Sequence, residues 1–495
     1  MNEINYIMSC ATGTIAPYVP SVTVPWNRQR IAHLYRRVGF GATNAQILAA
    51  LPMSPSALVD QIINQAIALP LSAPPTWYDW TRAPIDDYTD YDNQIYEHRD
   101  IWTRQWVNDM ITYGFREKMS LFWHNHFVTQ WGAYGCSAYM YLYHKLLQEY
   151  ALGNFKEFVH QIGITPAMLM FLNGNQSEVG APNENYAREL MELFTMGQNN
   201  GYTEQDITEM ARALTGWVCS NETCEPSSFV PERFDNTDKT IFGQTGNWGN
   251  TASSATPTNV VNLIFNYRQD QTATYICTKL CKFFITPDPD PDIVNALSTT
   301  FKNNNFELAP VLRQLFKSEY FFDDAHIGVL IKSPIEMLNG IVYPLQMEYT
   351  NDTLGALAYW AYELGQELWT PVNVAGWPGY RTWINENYLT KRWRYAAYTL
   401  WGANDNTEAT WVLLAKNLSN NSNNAAVVTQ SVVDFLLPKG LLNATEYESA
   451  TTVFKASIPE NYFQEGLWNL DWDTVPYQMM LLLQHLVKQP VFQLN

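Results

Sequence analysis

The chain has 495 residues, with 48 acidic against 30 basic side chains and a net charge of −18. Such a surface repels phosphate backbones, and no Lys/Arg-rich run offsets it, so nucleic acid is excluded as a partner. At 46% hydrophobic and 14% aromatic the chain has material for a sizeable core, which excludes disorder, and no apolar run reaches the roughly 20 residues a membrane helix needs.

The N-terminal MNEINYIMSCATG has neither a basic n-region nor an apolar h-region. As written, the chain therefore reads as soluble and cytoplasmic, or as exported if a signal has been removed. The periodicity predicts an all-α fold. An N-terminal arm (residues 1–27) precedes a main helical domain (28–345), and a C-terminal helical region (346–495) follows. RIAHLYRRVGFGATNAQILAAL shows an apolar stripe, a Gly-Phe-Gly break, and then Thr43 with Gln46 three residues on, the signature of a capping box. Within it, the adjacent Arg36 and Arg37 could clamp a carboxylate or phosphate, or neutralise buried acids. Residues 70–100 are Pro-rich, acidic and aromatic, and read as a long irregular excursion.

EKMSLFWHNHFVTQ places His124 and His126 two apart. On a continuous helix they point about 200° apart, so they share an ion only if the helix ends near Asn125. EFVH sets Glu157 and His160 at the i, i+3 spacing of carboxylate-bridged di-iron bundles, but the second motif such bundles need is missing. ITPAMLMFL and KSPIEMLNGIVYPL each open a helix on Thr165 or Ser333, with Pro166 or Pro334 at its first position.

NENYARELMELFTMG carries an apolar arc of Tyr186, Ala187, Leu190, Met191, Leu193 and Phe194. Glu184, Arg188 and Glu192 follow each other at i, i+4, i+8 on the other side. Two readings stay open. Arg188 bridges the two glutamates on a solvated face. Alternatively, Asn185, Glu189 and Glu192 line a cleft, where they ligate a metal or exchange protons. YTEQDITEMARALTGW repeats the capping device with Thr203 and Asp206. Residues 219–258, rich in Gly, Asn, Ser and Thr, read as a second irregular insertion, and NLSNNSNNAA after Lys416 as a surface loop.

Six cysteines are too few for a disulfide scaffold. Cys219 and Cys224 could close a short bridge, while Cys277 and Cys281 share one face of a predicted helix. NVAGWPGYRTWINENYLTKR gathers Trp377, Tyr380, Arg381 and Trp383 around two glycines, able to stack on a sugar or to plug the core. The chain has no G-x-S-x-G, P-loop, G-x-G-x-x-G or H-E-x-x-H motif.

HLYRRVGFGAT, LFWHNHF, TPAMLMFLNGNQ, PNENYARELMELFTMG, YTEQDITEMARALTGW, KTIFG, KSPIEML and VAGWPGYRTW, taken in order, resemble the bacterial family known as domain of unknown function 1800, in its Bacteroidetes-type form. The resemblance implies a mostly helical protein of unassigned activity, often encoded beside a sulfatase- and phosphatase-like partner. ERFDNTDKTIFG departs from the family pattern, with Phe234 where a His usually precedes Asp235. The polar positions matching the family lie among apolar neighbours, which predicts that they meet one another across a central cleft.

The first functional expectation is thus a hydrolase or lyase acting on a glycan or small molecule. In it His124, His126, Glu189, Glu192 and Arg188 are catalytic, and Arg36, Arg37, Asn185, Trp377 and Arg381 bind substrate. A divalent metal on His124, His126 and Glu189 is its metal-dependent form. The alternative is a non-catalytic scaffold that docks the sulfatase/phosphatase-like partner through residues 77–101.

Overall fold

The computed structural model describes residues 12–81, 88–250, 255–456 and 458–495. Among these residues the fold is mostly helical, with 24 α-helices and two antiparallel two-stranded sheets. The strand pairs are Trp217–Val218 with Ser228–Phe229, and Lys239–Ile241 with Gln244–Gly246.

The local signals place the helices. Thr43 and Gln46 form a reciprocal capping box, as do Thr203 with Asp206 and Ser333 with Glu336. Pro166 and Pro334 take the first helical positions behind Thr165 and Ser333. Pro at that position leaves no donor unmatched, because the first helical N–H groups lack intrahelical partners anyway. The Gly-Phe-Gly break stops the Arg28–Val38 helix at Gly39, and Gly41 turns the chain at φ +123°, a conformation that costs a side-chain-bearing residue.

The helices pack into a contiguous core running from Tyr18 to Phe492. Tyr88–Tyr113 lies on Asn351–Glu363, Phe115–His124 on Ser137–Glu149, and Pro334–Val342 on Glu386–Trp401. Arg28–Val38 meets Ala425–Leu436, held by Arg36, whose Nη2 donates to the Phe435 carbonyl at 2.9 Å. The expected division near residue 345 falls between Pro334–Val342 and Asn351–Glu363.

Three expectations are corrected. The excursion expected over residues 70–100 ends early, because Tyr88–Tyr113 is a 26-residue helix. Its aromatic residues find inward partners: Trp77 stacks on His98 and Trp80 on Tyr91, with ring centroids 4.8 and 5.1 Å apart. Cys224 bonds to Cys136, 88 residues away, and not to Cys219. The 219–225 loop folds over the helix that Cys136 opens, where Tyr139 donates to the carbonyls of Ser220 and Glu225 at 3.0 and 2.5 Å. Cys219, Cys277 and Cys281 are free thiols, and Cys10 lies outside the described residues. Lastly, the surface loop after Lys416 is shorter than expected, since Asp405–Ser419 continues through Asn417 and the chain turns at Asn420 and Asn421 with positive φ.

Candidate functional site

The Phe115–His124 helix ends on the His-Asn-His triplet, with Asn125 as its C-cap. Each member of the triplet then bonds the backbone of a different segment. His124 accepts the Trp369 N–H at Nε2 (3.1 Å), so its proton sits on Nδ1, 2.9 Å from the Tyr143 hydroxyl. Tyr143 in turn donates to the Phe127 carbonyl at 2.8 Å. Both nitrogens are thus engaged, and burial drives the imidazole pKa down to about 3. Asn125 pairs with both backbone groups of Trp377, accepting its N–H at 2.6 Å and donating to its carbonyl at 3.3 Å. The close approach requires Gly376, where a Cβ would stand 2.3 Å from Asn125 Oδ1.

His126 is different. Its Nε2 lies 3.0 Å from the Phe194 carbonyl and must carry the proton, since a carbonyl can only accept. That leaves Nδ1 as a bare acceptor, buried and without a partner among the described residues. Burial, and then the charge of nearby Lys279, hold the ring well below the usual histidine pKa.

NENYARELMELFTMG forms an α-helix over Glu184–Glu189 and widens into a π-helical turn over Leu190–Thr195. The wider turn frees carbonyls for other partners: Phe194 accepts from His126, and Leu193 accepts the Tyr275 hydroxyl at 3.0 Å. The predicted apolar arc is buried, apart from the half-buried Leu193.

The polar arc lies on the surface. Arg188 meets Glu184 at 3.5 Å, Glu192 at 3.4 Å and Glu204 of the next helix at 2.8 Å. Asn185 is exposed and donates to the Leu172 carbonyl at 3.4 Å. Glu189 is half-buried, and desolvation followed by Glu192 raises its pKa against the opposing pull of Arg188. The structure does not bring Glu189, Glu192 or Arg188 together with His124. Among the described residues no group of three or more His, Cys, Asp or Glu could hold a metal ion. Because its partners are solvated, Arg188→Ala is expected to shift stability by only about 0.5 kcal/mol in urea unfolding.

The structure instead assembles a cleft of about 390 Å³ beside His126, within the range of small-molecule sites. One wall is aromatic: Phe122, Phe283, Trp377, Tyr380 and Trp383. The polar lining is cationic, with Arg37, Lys279 and Lys282 joining His126. None of these three cations has a carboxylate partner among the described residues. Arg37 donates Nη2 to the His326 carbonyl at 2.6 Å, while its Nε and Nη1 are buried and unpaired. Lys279 lies against the Tyr275 ring, its ammonium 5.3 Å from the centroid, and burial lowers its pKa to about 8. The one side-chain carboxylate in the lining, Glu336, is bound by Lys118 and accepts the Ser333 N–H at 2.6 Å.

Of the residues expected to bind substrate, Arg37 and Trp377 line this cleft, and so does His126, expected to be catalytic. Arg36 is drawn away toward Phe435, and Arg381 is exposed with its guanidinium over the Tyr380 ring at 5.7 Å. Asp235, beside the departure at Phe234, pairs with Arg212 at 2.8 Å. Sequence reasoning missed Lys279 and Lys282. Their signal was available in TKLCKFF, where two lysines three apart sit on an otherwise apolar helix face.

Compared with known proteins, the chain matches over residues 33–494 a family model described as "Protein of unknown function (DUF1800)". No curated protein and no solved structure matches it.

Proposed function

The chain belongs to the DUF1800 family, and from the geometry of its cleft we propose that it is a hydrolase or lyase acting on an acidic, ring-bearing small molecule or glycan end. One observation carries this reading. In a chain with a net charge of −18, three cations without carboxylate partners converge on a single aromatic-walled cleft. Arg37 is buried with two unpaired guanidinium nitrogens and the Lys279 ammonium is desolvated, whereas Lys282 is exposed; uncompensated charge of the first two is costly and favours a site that an anion completes. The aromatic wall offers ring faces to the apolar side of a sugar. In this reading Arg37, Lys279 and Lys282 hold the anion, and Trp377, Tyr380 and Trp383 position the ring.

No metal enters the reading, because among the described residues no three His, Cys, Asp or Glu side chains gather where they could hold one. The Cys136–Cys224 disulfide supports a setting outside the reducing cytosol. Among the described residues no helix is long and apolar enough to cross a membrane. The scaffold reading has less support, because Trp77 and Trp80 of its docking segment are stacked on the protein itself.

Calorimetric titration with a hexuronate and with the corresponding neutral hexose tests the proposal. The acid is expected to bind and the neutral sugar to bind at least about tenfold more weakly, a difference of about 1.4 kcal/mol. Lys279→Met is expected to remove most of that preference, and Arg381→Ala to leave it intact. The sign with pH follows from the charge of Lys279. Its ammonium is charged below about 8, so affinity falls as pH rises through that value. Equal binding of acid and neutral sugar contradicts the reading.

A further inference from the structure

We propose that the reaction in this cleft is β-elimination from a hexuronate residue, with Lys279 as the base that takes the proton α to the carboxylate. The inference rests on the acidic-ligand reading above and names its chemistry.

Glycoside hydrolysis ordinarily needs two carboxyl groups flanking the scissile bond. The cleft has a single side-chain carboxylate, Glu336, already bound by Lys118 and the Ser333 N–H. Elimination makes a different demand. It needs cations to stabilise the charge that develops on the substrate carboxylate, a base beside the α carbon, and a wall that holds the ring. Arg37 and Lys282 supply the first, and Trp377 and Trp383 the last.

Lys279 fits the base. It lines the cleft, rests on the Tyr275 ring and has no acid partner among the described residues. With the ammonium pKa lowered to about 8 by burial, the neutral amine is accessible near neutral pH. Acids and bases tuned toward the working pH transfer protons most effectively.

In the step, the Lys279 amine takes the proton from C5 of the uronate. The C5–H electron pair becomes the C4=C5 double bond, and the C4–O4 bond breaks. The resulting ammonium returns its proton to the departing O4, which regenerates the amine. No water, oxidant or second reactant is consumed.

The test incubates the intact protein with polygalacturonate, alginate and glucuronan, and follows the ultraviolet absorbance of the unsaturated product. Binding of saturated uronate oligomers is measured calorimetrically in parallel. The wild type is expected to form product from at least one polymer, at a rate that rises with pH through about 8 while binding weakens. His126 and the Tyr275 ring neighbour Lys279, Glu189 acts on Tyr275 in turn, and Arg37, Lys282 and the Lys118-bound Glu336 are the other charged side chains lining the cleft. Burial keeps His126 neutral and pushes the Tyr275 hydroxyl up to about 12, so the limb near 8 is assigned to Lys279 by its loss in Lys279→Arg. That variant keeps the charge, and is expected to bind within a few-fold of wild type yet lose about 100- to 10,000-fold in rate, the usual contribution of a general base. Its thermal unfolding is measured alongside, so that a folding defect is not mistaken for lost chemistry. Binding without product overturns the elimination and leaves the acidic-ligand reading standing. Absence of binding overturns both. Wild-type turnover by Lys279→Arg removes Lys279 from the role of base.

Discussion

His124→Ala is expected to destabilise the protein by about 3–5 kcal/mol, the range found when a large buried side chain is cut to Ala. The imidazole is fully buried and joins three segments. It accepts the Trp369 N–H at 3.1 Å and reaches the Tyr143 hydroxyl at 2.9 Å. Without it, the Trp369 N–H loses its acceptor in a dry core, at a cost of about 1–3 kcal/mol, and the Tyr143 hydroxyl is left with the Phe127 carbonyl alone. Urea unfolding reads the effect, with Arg188→Ala as a surface comparison. Near-wild-type stability in His124→Ala would show that the ring does not bind these segments together, and would return His124 to the list of reacting groups.

Removing the long-range disulfide is the second large perturbation. Cys136 and Cys224 are 88 residues apart, and closing a loop of that size in the unfolded chain is worth about 4–5 kcal/mol in the chain-entropy model. Paired Cys136→Ser/Cys224→Ser substitution, or reduction of the wild type, is expected to lower the unfolding temperature markedly. Cys219→Ser, which removes a free thiol, is expected to change it little. Mass-spectrometric mapping of the bridged peptides identifies the pair directly. Recovery of a Cys219–Cys224 peptide would contradict the assignment.

The fold was legible in the sequence because its signals are local. Thr43 with Gln46, Thr203 with Asp206, and Ser333 with Pro334 and Glu336 announce helix starts within four residues, and the structure forms each cap. The helix starting at Tyr88 was hidden because it begins among Pro, Asp and Tyr, and because its aromatic contacts lie outside the helix, as in Trp80 on Tyr91. The disulfide was hidden for the same reason, since the spacing of Cys219 and Cys224 says nothing about a partner 88 residues upstream.

The candidate site was legible only in part. His126, Arg37 and Trp377 were selected because they are polar or aromatic groups in otherwise apolar or glycine-rich segments. Such groups also arise wherever a helix end must be tied to a distant backbone. His124 and Asn125 turn out to do that tying. Arg188 and its glutamates form a regular i, i+4, i+8 charge pattern, yet they lie on the surface, where charge pairs form freely. Lys279 and Lys282 were passed over because a lysine on a helix ordinarily reaches solvent. Only the tertiary structure reveals that Lys279 faces a cleft and has no acid to pair with.

The central claim is that the cleft between His126 and Trp377 receives the anionic group of a ring-bearing ligand. The most direct measurement is a crystal structure of the protein soaked with a short oligouronate. The expected result is a sugar ring against Trp377 and Trp383, with its carboxylate within hydrogen-bonding distance of Arg37, Lys279 or Lys282. An oligouronate bound elsewhere, or a cleft that stays empty at saturating ligand, would contradict the claim.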